Sequence, residues 1–354
     1  MKSCKTLLAA VFSSRTVISS RAAKNLAPVL AVGAVALASA TAQAANIKPA
    51  VVFDMGGKFD KSFNEAVYHG VERFSKDTGI KYRDFEVNNE TQFEQAHRKF
   101  AQRGSNPIIG VGFTQSSAVQ EVAAKFPETK FVLIDSVVDL PNVQSLLFKE
   151  HEGSFLVGML AAMKSKSGKV GFVGGMDIPL IRKFQCGYEQ GAKYANKDIE
   201  VIANMTGNTP AAWNNPGRGS ELAKGQFDRG VDVIFAAAGG TGFGVYQAAK
   251  DNGKYAIGVD SNQNHLQPGT MLTSMVKRVG VAAYKAFSDA KDGTWKPGIS
   301  SLGLAEGGVD WALDEHNAAL ITTKMETAME KTKAAIISGK IKVHDYMSNN
   351  SCSY

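Results

Sequence analysis

From residue 47 onward, short runs rich in valine and isoleucine alternate with stretches of helical length. This alternation constrains the fold more than any other feature of the chain. "IKPAVVF" (47–53) reads as a strand, and 62–77 as a helix with Phe63, Ala66, Val67, Gly70, Val71 and Phe74 at helical spacing. "IKYRDFEV" (80–87) alternates as a strand does, and a helix over 91–103 leads to "PIIGVG" (107–112). A helix over 115–126, then "KFVLID" (130–135) and "NVQSLLF" (142–148), complete the first series. Short apolar strands separated by helices bury both their faces in a parallel sheet of βαβ units.

The series then starts again. Predicted helices at 151–164, 181–196, 217–229 and 242–252 precede strands "KVGFVGG" (169–175), "IEVIANM" (199–205), "VDVIFAAA" (231–238) and "KYAIGVD" (254–260). Two similar α/β units therefore lie in tandem, with a boundary near 148–151, and the 354-residue length accommodates both. No Pro/Ser-rich linker separates them, so closely spaced hinge strands are expected. Beyond 265 come "GTMLTSMV", a helix over 279–292, "GISSLGLAEGGVDWAL", an amphipathic helix over 319–338 and a polar tail from 344.

The formal charge of +7 does not point to nucleic acid. Residues 1–44 hold Lys2, Lys5, Arg15, Arg21 and Lys24 and no acid, which leaves the rest of the chain nearly neutral. Those residues have the form of a secretory signal: a basic n-region, the apolar stretch "LAPVLAVGAVALASA" (26–40), and "AQA" (42–44) before a cleavage point after Ala44. The residue directly after that point is Ala45 and not a lipid-carrying cysteine, and no other run reaches transmembrane length. With Cys4 removed, Cys186 and Cys352 remain, a pair that an exported chain can either join or leave free. CxxC and HExxH are absent.

Ligands of doubly wound sheets bind beyond the carboxyl ends of the strands. Those ends read "DMGGKFDKSFN", "GFTQSS" and "IDS" in the first unit. In the second they read "GGMDIPLIRKF", "MTGNTPAAWNNPGRG", "AAAGGTGFG" and "GVDSNQ". "SFNE" has the form of a capping box, with Ser62 as N-cap and Glu65 closing it, which places Phe63 at a helix mouth. Asn215 followed by Pro216 opens another helix, with Trp213 just before it. Two rings at two helix mouths either cover local loops or, if the units face each other, take a flat ring between them, as aromatic side chains hold nucleobases.

"GGTGFG" (239–244) has the spacing GxGxG, not the dinucleotide GxGxxG, and its glycines fit close approach of backbone to a ligand. His69, His97, His151, His265 and His316 lack a nucleophile pattern, and GxSxG is absent. Asp135, Asp177 and Asp260 at strand ends suit hydrogen bonds from ligand hydroxyls or ring N–H groups better than a metal. No catalytic residue, metal or cofactor is expected.

"DKSFNEAVYHG", "FVLID", "EGSFLVGMLAA", "KVGFVGGMDIP", "WNNPGRGSELAKGQFDRGVDVIFAAAGGTGFGVYQAAKD", "YAIGVDSNQ" and "LTSMVKRV", in this order over about 47–343, resemble the basic membrane protein family. These are PnrA-like purine nucleoside receptors of ABC transporters. The resemblance implies the type I periplasmic-binding-protein fold, α/β with two Rossmann-like lobes and a three-segment hinge. It also implies lobes of 45–148 plus 265–296 and 149–264 plus 297–343, with 344–354 as tail. Carried over residue by residue, it implies that Phe63 stacks on the base beside Asn64, with Trp213 on the opposite face. Asp135 then accepts from the purine edge, while Gly240, Asp260 and Lys277 contact ribose hydroxyls, the last two pairing when the site is empty. The chain departs from the pattern at Asn215 and Asn262, where the family often has acids, which leaves the preferred base open.

The expected protein is thus a monomeric periplasmic receptor for inosine, guanosine or adenosine that serves an ABC permease and binds no nucleic acid. A receptor for a sugar or an amino-acid derivative is the alternative. A nucleoside hydrolase is the more distant one, since the scattered acids do not form a metal-and-water cluster. A transcription regulator would need a helix-turn-helix before residue 47, where a signal sequence stands instead.

Overall fold

The computed structural model describes residues 47–352, so the expected signal and its cleavage point lie outside the described residues. The first series folds as β1 (Ala50–Phe53), α1 (Phe63–Thr78), β2 (Arg83–Glu86), α2 (Gln92–Gln102), β3 (Ile108–Gly110), α3 (Ser116–Lys125), β4 (Phe131–Ile134) and β5 (Val143–Phe148). The second runs α4 (Glu150–Lys164), β6 (Lys169–Met176), α5 (Pro179–Ala195), β7 (Glu200–Gly207), α6 (Pro216–Asp228), β8 (Val233–Ala237), α7 (Gly242–Asp251), β9 (Tyr255–Asp260) and β10 (Met271–Lys277). The chain ends with α8 (Val279–Lys291), β11 (Gly298–Leu302), β12 (Val309–Trp311) and α9 (Thr323–Ile337).

Two six-stranded sheets result, ordered β2-β1-β3-β4-β5-β11 and β7-β6-β8-β9-β10-β12. Every pairing is parallel except that of β10 with β12. The central strands β1, β3, β4 and β8 are buried along their whole length, because helices cover both faces. Glycines let paired helices touch backbone to backbone: a Cβ at Gly70 of α1 would stand 2.0 Å from the carbonyl oxygen of Gly280 in α8.

The chain passes between the lobes three times, at Phe148–Glu150, Lys277–Val279 and Leu302–Val309. This hinge has the expected number of segments, but two of its boundaries differ. β10 belongs to the second sheet, so of 265–296 only α8 joins the first lobe, packed on α1. β11 pairs with β5, so 298–302 also belong to the first lobe. Burial explains both placements. β10 is almost wholly buried and needs a strand on each side, whereas β11 is exposed or half-buried throughout and suits an edge.

The polar tail from 344 is tied to α5. Cys186 and Cys352 form a disulfide, with Cα atoms 5.5 Å apart. His344 N–H donates to Gln190 Oε1 (2.8 Å), and Gln190 Nε2 donates to the His344 carbonyl (2.9 Å).

Candidate ligand cleft

The carboxyl ends of the two sheets face each other across a partly enclosed cavity of the kind in which small-molecule ligands bind. One wall is built by the turn after β1. Asp60, rather than Ser62, caps α1: its carboxylate accepts from the N–H groups of Ser62 (2.8 Å), Asn64 (3.0 Å) and Glu65 (3.1 Å). Glu65 instead holds Lys61, through its N–H (3.1 Å) and its Nζ (2.9 Å). The expected capping box is therefore replaced, because a carboxylate two residues upstream satisfies three orphan donors where a serine hydroxyl satisfies one.

Freed from capping, Ser62 reaches the other lobe. Its Oγ donates to Asp260 Oδ2 (3.0 Å) and the Val259 carbonyl (3.2 Å). Ser261 Oγ donates back to the Ser62 carbonyl (2.8 Å), and Gln263 Nε2 to the Lys61 carbonyl (2.9 Å). The mouth of α1 thus docks on the end of β9.

Four carboxylates line the cavity: Asp54, Asp60, Asp135 and Asp260. Asp135 and Asp260 occupy matching places, at the ends of β4 and β9. Both adopt left-handed backbone, with φ of 69° and 63°, a conformation that Asp tolerates better than most side chains. Asn64 Nδ2 donates to Asp54 Oδ1 (2.7 Å) and Asp60 Oδ2 (3.1 Å), bridging the pair. Burial pushes the Asp54 carboxyl up to about 6, against the bonds from Asn64 and Gly56, and raises Asp60 as well. Burial likewise takes Asp260 to about 7, although Lys277 and the Ser62 hydroxyl pull the other way.

Lys277, the last residue of β10, is the cation among these acids. Its Nζ bonds Asp135 Oδ2 (2.6 Å) and Glu150 Oε1 (2.9 Å). The expected pairing with Asp260 is replaced by these two partners. Burial disfavours the ammonium, but the carboxylates of Asp135, Glu150 and Asp260 together hold its pKa above the ordinary lysine value. The ammonium sits 5.2 Å from the Phe63 ring centroid, 5.1 Å from that of Phe148 and 5.7 Å from that of Phe184. Asp135 Oδ1 is buried and has no hydrogen-bond partner among the described residues.

Six of the seven sequence-derived positions meet on this cavity: Phe63, Asn64, Asp135, Trp213, Asp260 and Lys277. Gly240 is buried just behind the wall, which Gly239 lines instead. Both glycines lie against Trp213: a Cβ on either would approach its carbonyl oxygen, to 3.3 Å from Gly239 and 3.4 Å from Gly240. Gly175 supports the indole more closely, since a Cβ there would meet Trp213 Cζ3 at 2.1 Å. Phe63 and Trp213 are each half-buried at their helix mouths and packed against the core.

Sequence reading missed Asp54, Asp60 and Phe113, although Asp54 directly follows β1 and Phe113 comes three residues after the end of β3, where the strand-end rule points. It also missed Leu180, Ile181 and Phe184 of α5, whose helical spacing reads as ordinary core. No cluster of three or more metal-ligating side chains occurs among the described residues. Among those residues, no helix is long and apolar enough to cross a membrane.

Comparison with known proteins places this geometry. A family model described as "ABC transporter substrate-binding protein PnrA-like" matches residues 47–346. The chain is 32% identical to the ABC transporter nucleoside-binding protein BmpA of Lactococcus lactis, over 89% of this chain and 98% of the relative. It is 33% identical to basic membrane protein A2 of Borrelia garinii, over 83% and 88% of the two chains. A solved ABC-transporter solute-binding protein from Aeropyrum pernix superposes with a TM-score of 0.77 at 30% identity, covering 84% of this chain and 92% of that one. With a family match across nearly the whole described structure, the type I binding-protein fold and a cleft at the strand ends, this chain belongs to the PnrA-like family of ABC-transporter substrate-binding proteins, which are receptors and not enzymes.

Proposed function

We propose that the protein captures a purine nucleoside between its lobes and delivers it, outside the cytoplasm, to the permease of an ABC importer. The observation that carries this reading is the pairing of two aromatic walls with four carboxylates that line the same cavity as one ammonium. An acceptor-rich cleft of this kind favours a neutral ligand with several donors. Ribose hydroxyls and a purine ring N–H supply them, and phosphate does not: a nucleotide would add anionic acceptors where acceptors already crowd. The name of the Lactococcus relative supports a nucleoside ligand.

Phe63 and Trp213 stack on the two faces of the base. Asp135 Oδ1, buried and unpartnered, receives its ring N–H, and an unmet donor or acceptor in that place costs about 1–3 kcal/mol. Asp260 and Lys277 take the ribose, with Asn64 holding Asp54 and Asp60 in place beside it. Lobe closure then removes water from the stack and the hydrogen bonds together. Export through cleavage after Ala44, in a monomer, completes the reading. N-terminal sequencing of exported protein should begin at Ala45.

Calorimetry with inosine, guanosine, adenosine and ribose tests the ligand class. Phe63→Ala and Trp213→Ala should each weaken nucleoside binding by about 1–3 kcal/mol, roughly 5- to 150-fold. Tight ribose binding that is indifferent to the base and to both rings would move the assignment to a sugar receptor.

A further inference from the structure

Behind the cleft, buried charges continue in alternating sign to the C-terminal tail. Lys277 shares Glu150, the first residue of α4, with Lys183 of α5, whose Nζ stands 2.9 Å from Glu150 Oε2. Lys183 also donates to the carbonyl of Phe148, the last residue of β5 (2.7 Å). Its remaining partner is Asp345 Oδ2 at 3.6 Å. The chain of contacts is therefore Asp135, Lys277, Glu150, Lys183 and Asp345, and it passes through two of the three hinge crossings.

Three features make this more than a surface ion pair. Glu150, Lys183 and Lys277 are 1%, 6% and 2% exposed, so solvent screens them little. Burial, against the pull of Asp345 and Glu150, takes His151 down to about 4. His151 Nδ1, 3.8 Å from Asp345, is thus neutral near pH 7, and Lys183 is the cation that Asp345 answers. Asp345 itself lies on a tail fastened to α5 twice, by the Cys186–Cys352 disulfide and by the paired hydrogen bonds of His344 with Gln190. The same helix supplies Leu180, Ile181 and Phe184 to the cavity.

We propose that Asp345 is a positioning residue for the cleft: through Lys183 and Glu150 it sets where the ammonium of Lys277 stands. With Asp345 in place, Lys183 divides its charge between two carboxylates and leaves Glu150 free to hold Lys277 off Asp260. Without it, Lys183 draws on Glu150 alone, and Lys277 leans toward Asp135 and Asp260, the acceptors that the ligand needs. The effect on ligand rests on the reading of the cleft as a nucleoside site. The effect on Lys277 does not.

The test uses full-length protein carrying Asp345→Asn or Asp345→Glu, with ¹⁵N-labelled lysine. Both buried ammonium groups are shielded from solvent exchange, so their ¹⁵N–¹H signals report position in the absence of ligand. Asp345→Asn should shift the signals of Lys183 and Lys277 together and weaken inosine binding about 3- to 10-fold, and Asp345→Glu should restore both. A shift at Lys183 alone, or unchanged inosine affinity despite a shift at Lys277, overturns the proposal. A lower melting temperature without movement at Lys277, as a purely structural tail would give, overturns it too. If Lys277 responds but wild-type protein binds no nucleoside, the positioning role stands and the ligand assignment falls. Should Asp345→Asn not fold, mild reduction of the native disulfide frees the tail and is read the same way.

Discussion

Alanine at Gly175 tests whether Trp213 is a working wall of the cleft. Gly175 lies near the end of β6, and an added Cβ would stand 2.1 Å from Trp213 Cζ3, 2.5 Å from Cε3 and 2.7 Å from Cη2. Carbon atoms in contact rest about 3.5–4.0 Å apart, so the indole must retreat by about 1.4 Å or more. Its backbone lies against Gly239 and Gly240, which leaves the open cavity as the direction of retreat. A base sandwiched between two rings needs about 3.5 Å on each side, and a loss of this size removes the stack on the Trp213 face.

The cost should therefore match that of losing one stacking partner, about 1–3 kcal/mol, or roughly 5- to 150-fold in affinity. Gly175 does not have left-handed backbone, so the substitution adds no backbone strain and the fold should hold. Calorimetry with inosine gives the affinity, tryptophan emission reports the displaced indole, and far-ultraviolet dichroism checks the fold. Unchanged inosine affinity alongside a shifted emission would show that Trp213 moves but does not face the ligand, and the base clamp would be refuted.

Ser62→Ala should weaken nucleoside binding by about 1–2 kcal/mol, since it removes the cross-lobe bonds to Asp260 and Val259 while leaving the Asp60 cap intact; affinity equal to wild type would show that closure does not depend on this contact. The pH dependence of the ligand-free protein follows from its raised acids. Asp260 binds its proton more tightly when folded, up to about 7, as Asp54 does up to about 6, so the folded state holds more protons than the unfolded state between about pH 4 and 7. Their contribution to stability is therefore greatest near pH 4 and is lost as pH rises toward 7. Glu150, where burial is outweighed by Lys277 and Lys183 to give about 2, acts in the opposite sense below pH 4.5. Asp260→Asn should flatten the decline in melting temperature from pH 4.5 to 7.5, and an unaltered profile would contradict the burial of that carboxyl.

The sequence alone was enough for the tandem α/β plan, because strand and helix periodicity and strand-end chemistry are local. Phe63 and Trp213 were legible for the same reason, as each precedes or opens a helix with a recognisable start. Even there, the cap of α1 needed the structure: Ser62 and Asp60 compete for the same donors, and only the fold offers Ser62 an alternative partner in Asp260, 198 residues away. The sheet membership of β10 and β11 was likewise undecidable by pattern, since adjacent strands of a two-lobed chain look alike until burial sorts centre from edge. The partners of Lys277 are a matter of tertiary structure altogether. Asp135 lies 142 residues from it in sequence, and Glu150, Lys183 and Asp345 stand on three separate segments that meet only when the hinge forms. A charge buried on folding must find its counter-charge in space, and nothing in the local sequence records which one it finds.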